Sequence, residues 1–528
     1  DTPTTSIGNA NNDEESAVAG NHSNLDEETG EAGGSAVKLD ATRRDDEVER
    51  EEETAQAGGG GSPCNRGCCS FWAMSVTALL ASALGLYANV LFLDHAPLLE
   101  RSDTASDIAG VTCERLSFPV RLSPVTPVSY PVGGELCYAG ESVRVDQIVQ
   151  VLVSGAGYGP VYWNPSFQPD TYSYVAAVSG SYPTFNYARP GVAESGRPFG
   201  LKTDVDVQAF VLAQVIVHLN GHLGRPADDD GVMVVGHSMG SLITQAHALA
   251  YPGTTRGAIL TGYLHSVNPN NGKEARENSG FAMVDEKFAG RIFDFTYLTS
   301  TGVEGRRQFY SGGDNTDPAM ISWDDKTKET LTLGDVFTLG SYRATGNESK
   351  ALLVPTLVVS GDEDVINCPS PVVDCTDAEA VQQFETQFYP PDCAEVLLVP
   401  DTGHDLNFHR NAMETFASIL EWSLRVVGTN TTEDARRCVP DRGEKFAAVL
   451  PGKFPLSRDQ GVSPSLIGGL LLTFALILPL LLWGTYWIRV VRPNNRDCPG
   501  LSRRYCVVGL QAIALIYAIF SFCVLFLF

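Results

Sequence analysis

The 528-residue sequence predicts an α/β domain with a mainly parallel sheet, helices on both faces, and three membrane-spanning helices around it. Three observations lead there. Short β-branched runs alternate with longer amphipathic runs through the middle of the chain. Long uncharged apolar stretches frame that region at 71–93, 466–488 and 505–528. Six cysteines and two N-glycosylation acceptors fall between the first and second stretches.

The chain opens with Asp1 rather than Met, as expected of a fragment or a processed product. Residues 1–62 are rich in Asp, Glu, Gly, Ala and Ser and almost devoid of large apolar side chains. Such a stretch cannot bury enough surface to offset the entropy of ordering, so it reads as a disordered acidic tail. It carries much of the formal net charge of −26. That charge argues against nucleic acid as a partner, since a phosphate-binding surface needs a basic face.

Each apolar stretch is long enough to cross a bilayer core of about 30 Å. The stretch 466–488 ends in Trp483, Tyr486 and Trp487, like an interfacial aromatic belt. The loop 489–504 carries Arg489, Arg492, Arg496, Arg503 and Arg504 against one acid, which places it in the cytosol by the positive-inside rule. The domain at 95–460 then lies on the extracytoplasmic side of a multi-pass membrane protein, with the first stretch an uncleaved anchor. Cys113, Cys137, Cys368, Cys375, Cys393 and Cys438 suit that side, as up to three disulfides of unreadable connectivity. So do the acceptors at Asn347 and Asn430. Cys64, Cys68 and Cys69, beside the first stretch, suit palmitoylation.

Within the domain, "IVQVLVSG" (148–155) reads as a buried strand, "YSYVAAVSG" as a short helix and "TFNYARPG" as a strand. "DVDVQAFVLAQVIVHLNGHLG" has helical apolar spacing and a glycine stop. "GVMVVGHS" reads as a strand, "MGSLITQAHALAYP" as a helix and "GAILTGYL" as a strand. Strand runs recur in "ALLVPTLVVSGDED" and "AEVLLVPDTGHD", before the helical "AMETFASILEWSLRVV". Strands alternating with helices favour a parallel sheet covered on both faces.

Ser238 sits at the centre of Gly236-His237-Ser238-Met239-Gly240, a G-x-S-x-G pattern placed between a strand and a helix. Small residues on both sides of a serine let the chain turn sharply and hold the hydroxyl clear of the sheet. The helix N-terminus that follows favours developing negative charge. A serine hydroxyl needs a base to take its proton, and the base must be held in one orientation. Past a later strand, Asp364 is preferred to Asp362 as the orienting acid; after the last strand, His404 is preferred to His409 and His237 as the base. The oxyanion of a tetrahedral intermediate needs two N–H donors. Met239 supplies one, and the glycine-rich "VLVSGAGYGPVYW" supplies the other at Ala156, with Gly157 as substitute. Tyr158 and His237 are the candidate substrate contacts, while Trp163 reads as core.

Residues 113–427, about three-fifths of the chain, resemble the α/β-hydrolase fold in the style of secreted or membrane-tethered fungal esterase- and lipase-like enzymes. The carriers are "VLVSGAGYG", "TFNYARPGVAESGRP", "GHSMGS", "LVVSGDEDVI" and "TGHDLNFH", in family order. The resemblance implies a triad of Ser238, Asp364 and His404, with Ala156 and Met239 as oxyanion donors. Two departures stand out. Ser154-Gly155 replaces the common His-Gly, and Ala188-Arg189 replaces an Asp-Arg pair, which weakens an expected structural salt bridge. Residues 265–350 match the position of an inserted cap, and Arg291, Arg306 and Arg307 among aromatics suggest a lid.

The expected activity is cleavage of carboxylic esters, lipid esters among them, through an acyl-enzyme, with no metal and no organic cofactor. The expected partners are a small-molecule or lipid ester and the bilayer. Amide cleavage or acyl transfer on the same triad is the alternative among enzymes. A non-catalytic ectodomain for adhesion or assembly is the alternative outside them.

Overall fold

The computed structural model describes residues 103–438, except 107, 126–127, 271–276, 290–291, 293, 344–347 and 433–437. The acidic tail, the three apolar stretches, the basic loop, Cys64, Cys68, Cys69, Arg291 and Asn347 lie outside the described residues. Among the described residues no helix is long and apolar enough to cross a membrane.

Eight strands form one sheet in the order β1-β2-β4-β3-β5-β6-β10-β11. They are β1 (Val111–Val120), β2 (Tyr130–Ala139), β3 (Val149–Val153), β4 (Thr184–Tyr187), β5 (Val232–His237), β6 (Gly257–Thr261), β10 (Thr356–Gly361) and β11 (Ala394–Val399). From β4 to β11 all neighbours are parallel. The antiparallel β1–β2 pair at the edge has no counterpart among the sequence expectations, which begin at residue 148. Exposed residues recur along β1, so it offers no continuous apolar run. The mainly parallel sheet matches the one that the alternating runs predict.

The two-residue period of a strand sends alternate side chains to opposite faces. Val232 and Val234 join Val149, Val151 and Leu260 in one core, beneath α1 (Val205–His222) and α2 (Met239–Ala250). Met233 and Val235 join Leu152, Ile259 and Val359 in the other. The strands β3, β5, β6 and β10 are buried along their whole length, as expected where helices cover both faces. Helix α1 starts where the Asp204 side chain accepts from Val207 N, an N-cap that satisfies an otherwise orphaned donor.

Between β6 and β10 the chain builds a second, three-stranded sheet from β7 (Ser279–Phe281), β8 (Tyr297–Ser300) and β9 (Leu331–Thr332). Helices α3 (Gly302–Arg307), α4 (Pro318–Thr327) and α5 (Leu333–Arg343) belong to the same segment. It has a small core of its own in Ala282, Phe288, Ile292 and Tyr297. After β10 come α6 (Ala378–Thr386), β11 and α7 (Ala412–Val426). Phe416, Ile419 and Trp422 of α7 cover the second face of the main sheet.

The six cysteines pair as Cys113–Cys137, Cys368–Cys375 and Cys393–Cys438. The first joins register partners on β1 and β2, so it staples a hairpin already formed by hydrogen bonds. Cys393–Cys438 spans 45 residues and Cys368–Cys375 spans 7. A longer closed loop removes more entropy from the unfolded chain. Replacing Cys393 and Cys438 with alanine is therefore expected to destabilise the domain by about 4 kcal/mol, against about 2 kcal/mol for Cys368 and Cys375. Urea unfolding of the two double variants measures this; equal losses would remove loop length as the cause.

Candidate active site

β5 passes into α2 through a single residue, Ser238, whose backbone sits at φ 54° and ψ −116°. A non-glycine residue at positive φ is strained and persists only where its surroundings over-determine it. Here they do. A Cβ on Gly240 would lie 2.1 Å from the Val153 carbonyl oxygen, and one on Gly236 would lie 2.3 Å from the Gly240 oxygen. The missing side chains let the start of α2 sit directly on β3 and β5. The Ser238 N–H donates to Thr261 O at 2.8 Å, and the Ser241 hydroxyl also donates to that oxygen, at 2.9 Å, fixing the turn to β6. Ser238 is half-buried. Among the described residues its hydroxyl has no hydrogen-bond partner, and bonds of this kind in ligand-free sites are commonly long or unmade.

Asp364 stands three residues beyond the end of β10 and is fully buried. Its carboxylate accepts from Ile366 N at 2.9 Å and Asn367 Nδ2 at 2.7 Å, and both oxygens lie 2.9 Å from His404 Nδ1. A carboxylate on Nδ1 holds the ring proton there and leaves Nε2 as the basic nitrogen. Asp362, the other carboxylate considered, instead accepts from Thr402 N at 3.2 Å and braces the loop before His404. His409 is also accounted for. Its Nε2 accepts from Gly403 N and Ser311 N, at 3.1 and 3.0 Å, so its Nδ1 carries the proton given to Asp405 O. The His404 ring lies beside the turn: a Cβ on Gly262, next to Thr261, would stand 3.0 Å from it.

The loop after β3 approaches Ser238 from the other side. A Cβ on Gly155 would be 3.1 Å from the Ser238 Cβ. Among the described residues, no protein acceptor takes the N–H of Ala156 or of Met239. The Ser154 hydroxyl donates to Tyr158 O at 3.1 Å, so the residue in place of the common histidine closes the loop on itself. Arg189 has other partners where the salt bridge was expected to be weakened. Its guanidinium is buried and donates to Ser154 O at 3.0 Å, Gly155 O at 2.7 Å and Gln208 Oε1 at 3.1 Å. Carbonyl oxygens take the place of the missing neighbouring carboxylate, and Gln208 passes the contact on to Asp335 Oδ1 at 2.7 Å.

A family model described as "Alpha/beta hydrolase family" matches residues 150–419, just over half of the chain. The chain belongs to the alpha/beta hydrolase family. No curated protein matches it in sequence. Among solved structures it is similar to a thermophilic esterase from Thermogutta terrifontis, at 18% identity and a TM-score of 0.42, over 60% of this chain and 99% of that one. A carboxylesterase from Bacillus subtilis matches at 15% identity and a TM-score of 0.39, over 58% of this chain and 91% of that one. A monoacylglycerol lipase from Paleococcus ferrophilus matches at 13% and 0.37, over 54% and 99%.

Tyr158 and His237, the candidate substrate contacts, are both buried. His237 is fully enclosed, stacks on Tyr162 with centroids 4.1 Å apart, and places Nδ1 3.2 Å from Thr261 Oγ1. Burial, with His404 nearby, holds its pKa well below the ordinary histidine value. The 3.6 Å approach of its Nε2 to Asp405 Oδ1 is therefore a neutral contact rather than an ion pair. Tyr158 reaches two buried carboxyls, Asp324 and Asp405. Burial raises Asp324 to about 7 and Asp405 to about 6. Asp405 follows His404 directly in sequence, but Asp324 lies 166 residues from Tyr158, with no local signal of the pairing.

Both carboxyls are raised, so between about pH 4 and about pH 7 the folded protein holds protons that the unfolded chain has released. Their stabilising contribution is complete below about pH 4 and is lost as pH climbs through the folded values. Asp324→Asn cannot ionise, so it is expected to gain on wild type by about 1.4 kcal/mol per pH unit across that window. Thermal melts at a series of pH values read the difference, and a gap that stays constant with pH would contradict the raised value.

Proposed function

We propose that this protein is a membrane-anchored serine hydrolase that cleaves carboxylic esters. The observation that carries the reading is the pairing of His404 Nδ1 with both Asp364 oxygens, 2.9 Å each, beside a serine held on a strained strand-to-helix turn. Ser238 Oγ attacks the ester carbonyl while His404 Nε2 takes its proton. Asp364 holds the imidazole in the required tautomer and stabilises the imidazolium. The N–H groups of Ala156 and Met239 receive the oxyanion, and the dipole of α2 favours the same charge. His404 then protonates the leaving alkoxide, and water, activated by the same nitrogen, releases the acid from Ser238.

The apolar stretches 71–93, 466–488 and 505–528 anchor the domain, with the arginine-rich loop 489–504 cytosolic and the catalytic domain extracytoplasmic. Three disulfides within the domain support that side, because such bonds persist in oxidising compartments.

A fluorophosphonate probe on the detergent-solubilised protein is expected to label wild type and not Ser238→Ala. Turnover of short p-nitrophenyl esters should fall by about 10⁴ or more in Ser238→Ala and by about 10⁴ in Asp364→Asn. Equal labelling of wild type and Ser238→Ala would overturn the assignment of the nucleophile. Hydrolysis of anilides at rates matching the esters would move the substrate class to amides.

A further inference from the structure

The inserted segment between β6 and β10 touches the loops of the site, with the Phe309 ring centroid 5.7 Å from that of His404. Gly155, Gly157 and Gly159 make the loop after β3 permissive, and Gly157 sits at φ +72°. Such a loop presents its donors in one place only if its carbonyl oxygens are held. Arg189, from the core, holds Ser154 O and Gly155 O. The next anchor comes from the insert. Arg306 of α3 donates from Nη2 to Gly157 O at 2.6 Å, and the same oxygen accepts from Glu329 N at 2.8 Å. The Arg306 guanidinium also lies over the Tyr158 ring, 4.3 Å from its centroid. It is oriented by Asp324 of α4, with Nε 3.8 Å from Oδ1, and both side chains are 1% exposed. Tyr158 and Tyr310 both reach Asp324 Oδ2, at 3.2 and 3.1 Å, and Tyr158 also bonds to Asp405 beside His404. The contacts of one buried arginine thus run from the insert to the loop carrying Ala156, and on to the loop carrying His404.

We propose that Arg306 is a positioning residue for the oxyanion loop, so that the Ala156 N–H is aimed at the reacting oxygen only while the insert is seated. This rests on the reading of Ser238 as the nucleophile. A guanidinium suits the task because its planar fork can donate to a carbonyl, face a carboxylate and lie on an aromatic ring at once. A lysine ammonium is a point charge that cannot meet all three.

The test uses the full-length protein in detergent with two variants. Arg306→Lys keeps the charge opposite Asp324. Arg306→Met combined with Asp324→Asn leaves no orphaned charge at that pair. End-point titration with the fluorophosphonate counts competent sites, so that kcat is expressed per folded enzyme. On p-nitrophenyl butyrate, kcat is expected to fall about ten- to a hundredfold in both variants with KM within about twofold, since losing one oxyanion donor outright lowers kcat by about 10²–10³. The second readout is the Ki of an alkyl trifluoromethyl ketone. Ser238 Oγ adds to its carbonyl carbon, the serine proton passes to His404, and the carbonyl electron pair becomes an oxyanion. Ki should rise by the factor by which kcat falls, a match that a merely structural role would not produce. Unchanged kcat per titrated site, or a rise in KM alone, would overturn the proposal while leaving the nucleophile in place. Absence of Ser238-dependent turnover in wild type would instead remove the nucleophile reading, and this inference with it.

Discussion

The contact on which the site depends is the one between Gly240 and the backbone of β3. A single methyl group there would stand 2.1 Å from the Val153 carbonyl oxygen, and the neighbouring Gly236 is as tightly held against Gly240. Without side chains at these two positions, α2 begins one residue after β5 ends, and Ser238 is driven to φ 54°. The strain is local and the support is distributed: Thr261 on β6 accepts from Ser238 N, and Ser241 bonds back to both Gly236 and Thr261. The loops of Gly155 and His404 are then arranged around a serine whose position the sheet has already set.

Three histidines lie close to one another here, and their surroundings separate their roles. His404 has a carboxylate on Nδ1 and so a basic Nε2. His409 accepts two backbone N–H groups on Nε2, and burial keeps its pKa low, so it serves as a fixed acceptor in the loop. His237 is packed flat on Tyr162, and burial keeps it neutral. Identical side chains are made into a base, a brace and a packing element by hydrogen-bond partners and desolvation.

Arg306, Asp324, Asp405, Tyr158 and Tyr310 form a buried polar cluster to which the core and the insert both contribute. Buried charge is expensive unless paired, which is why burial raises both carboxyls and why the arginine sits among them. Such a cluster makes the seating of the insert specific, because a displaced insert would leave its partners desolvated and unmatched.

Much of this could be read along the chain. The strand and helix at Ser238, the glycines on either side of it, and the order of Asp364 and His404 are local features, written in residue type and two- or 3.6-residue period. The sheet around them was legible for the same reason, since β3, β5, β6 and β10 are short, mostly apolar runs buried along their whole length. The edge pair β1–β2 was not, because its exposed residues interrupt any such run. Nor was the burial of Tyr158 and His237, which depends on what packs over them. The sequence by itself determined which groups stand at the ends of which strands, because backbone geometry ties chemistry to local spacing. The tertiary structure alone decided what replaces the partner missing beside Arg189, and that Arg306 reaches Gly157 across 149 residues. Those contacts join segments with no shared period, and only the closed fold brings them within hydrogen-bond range.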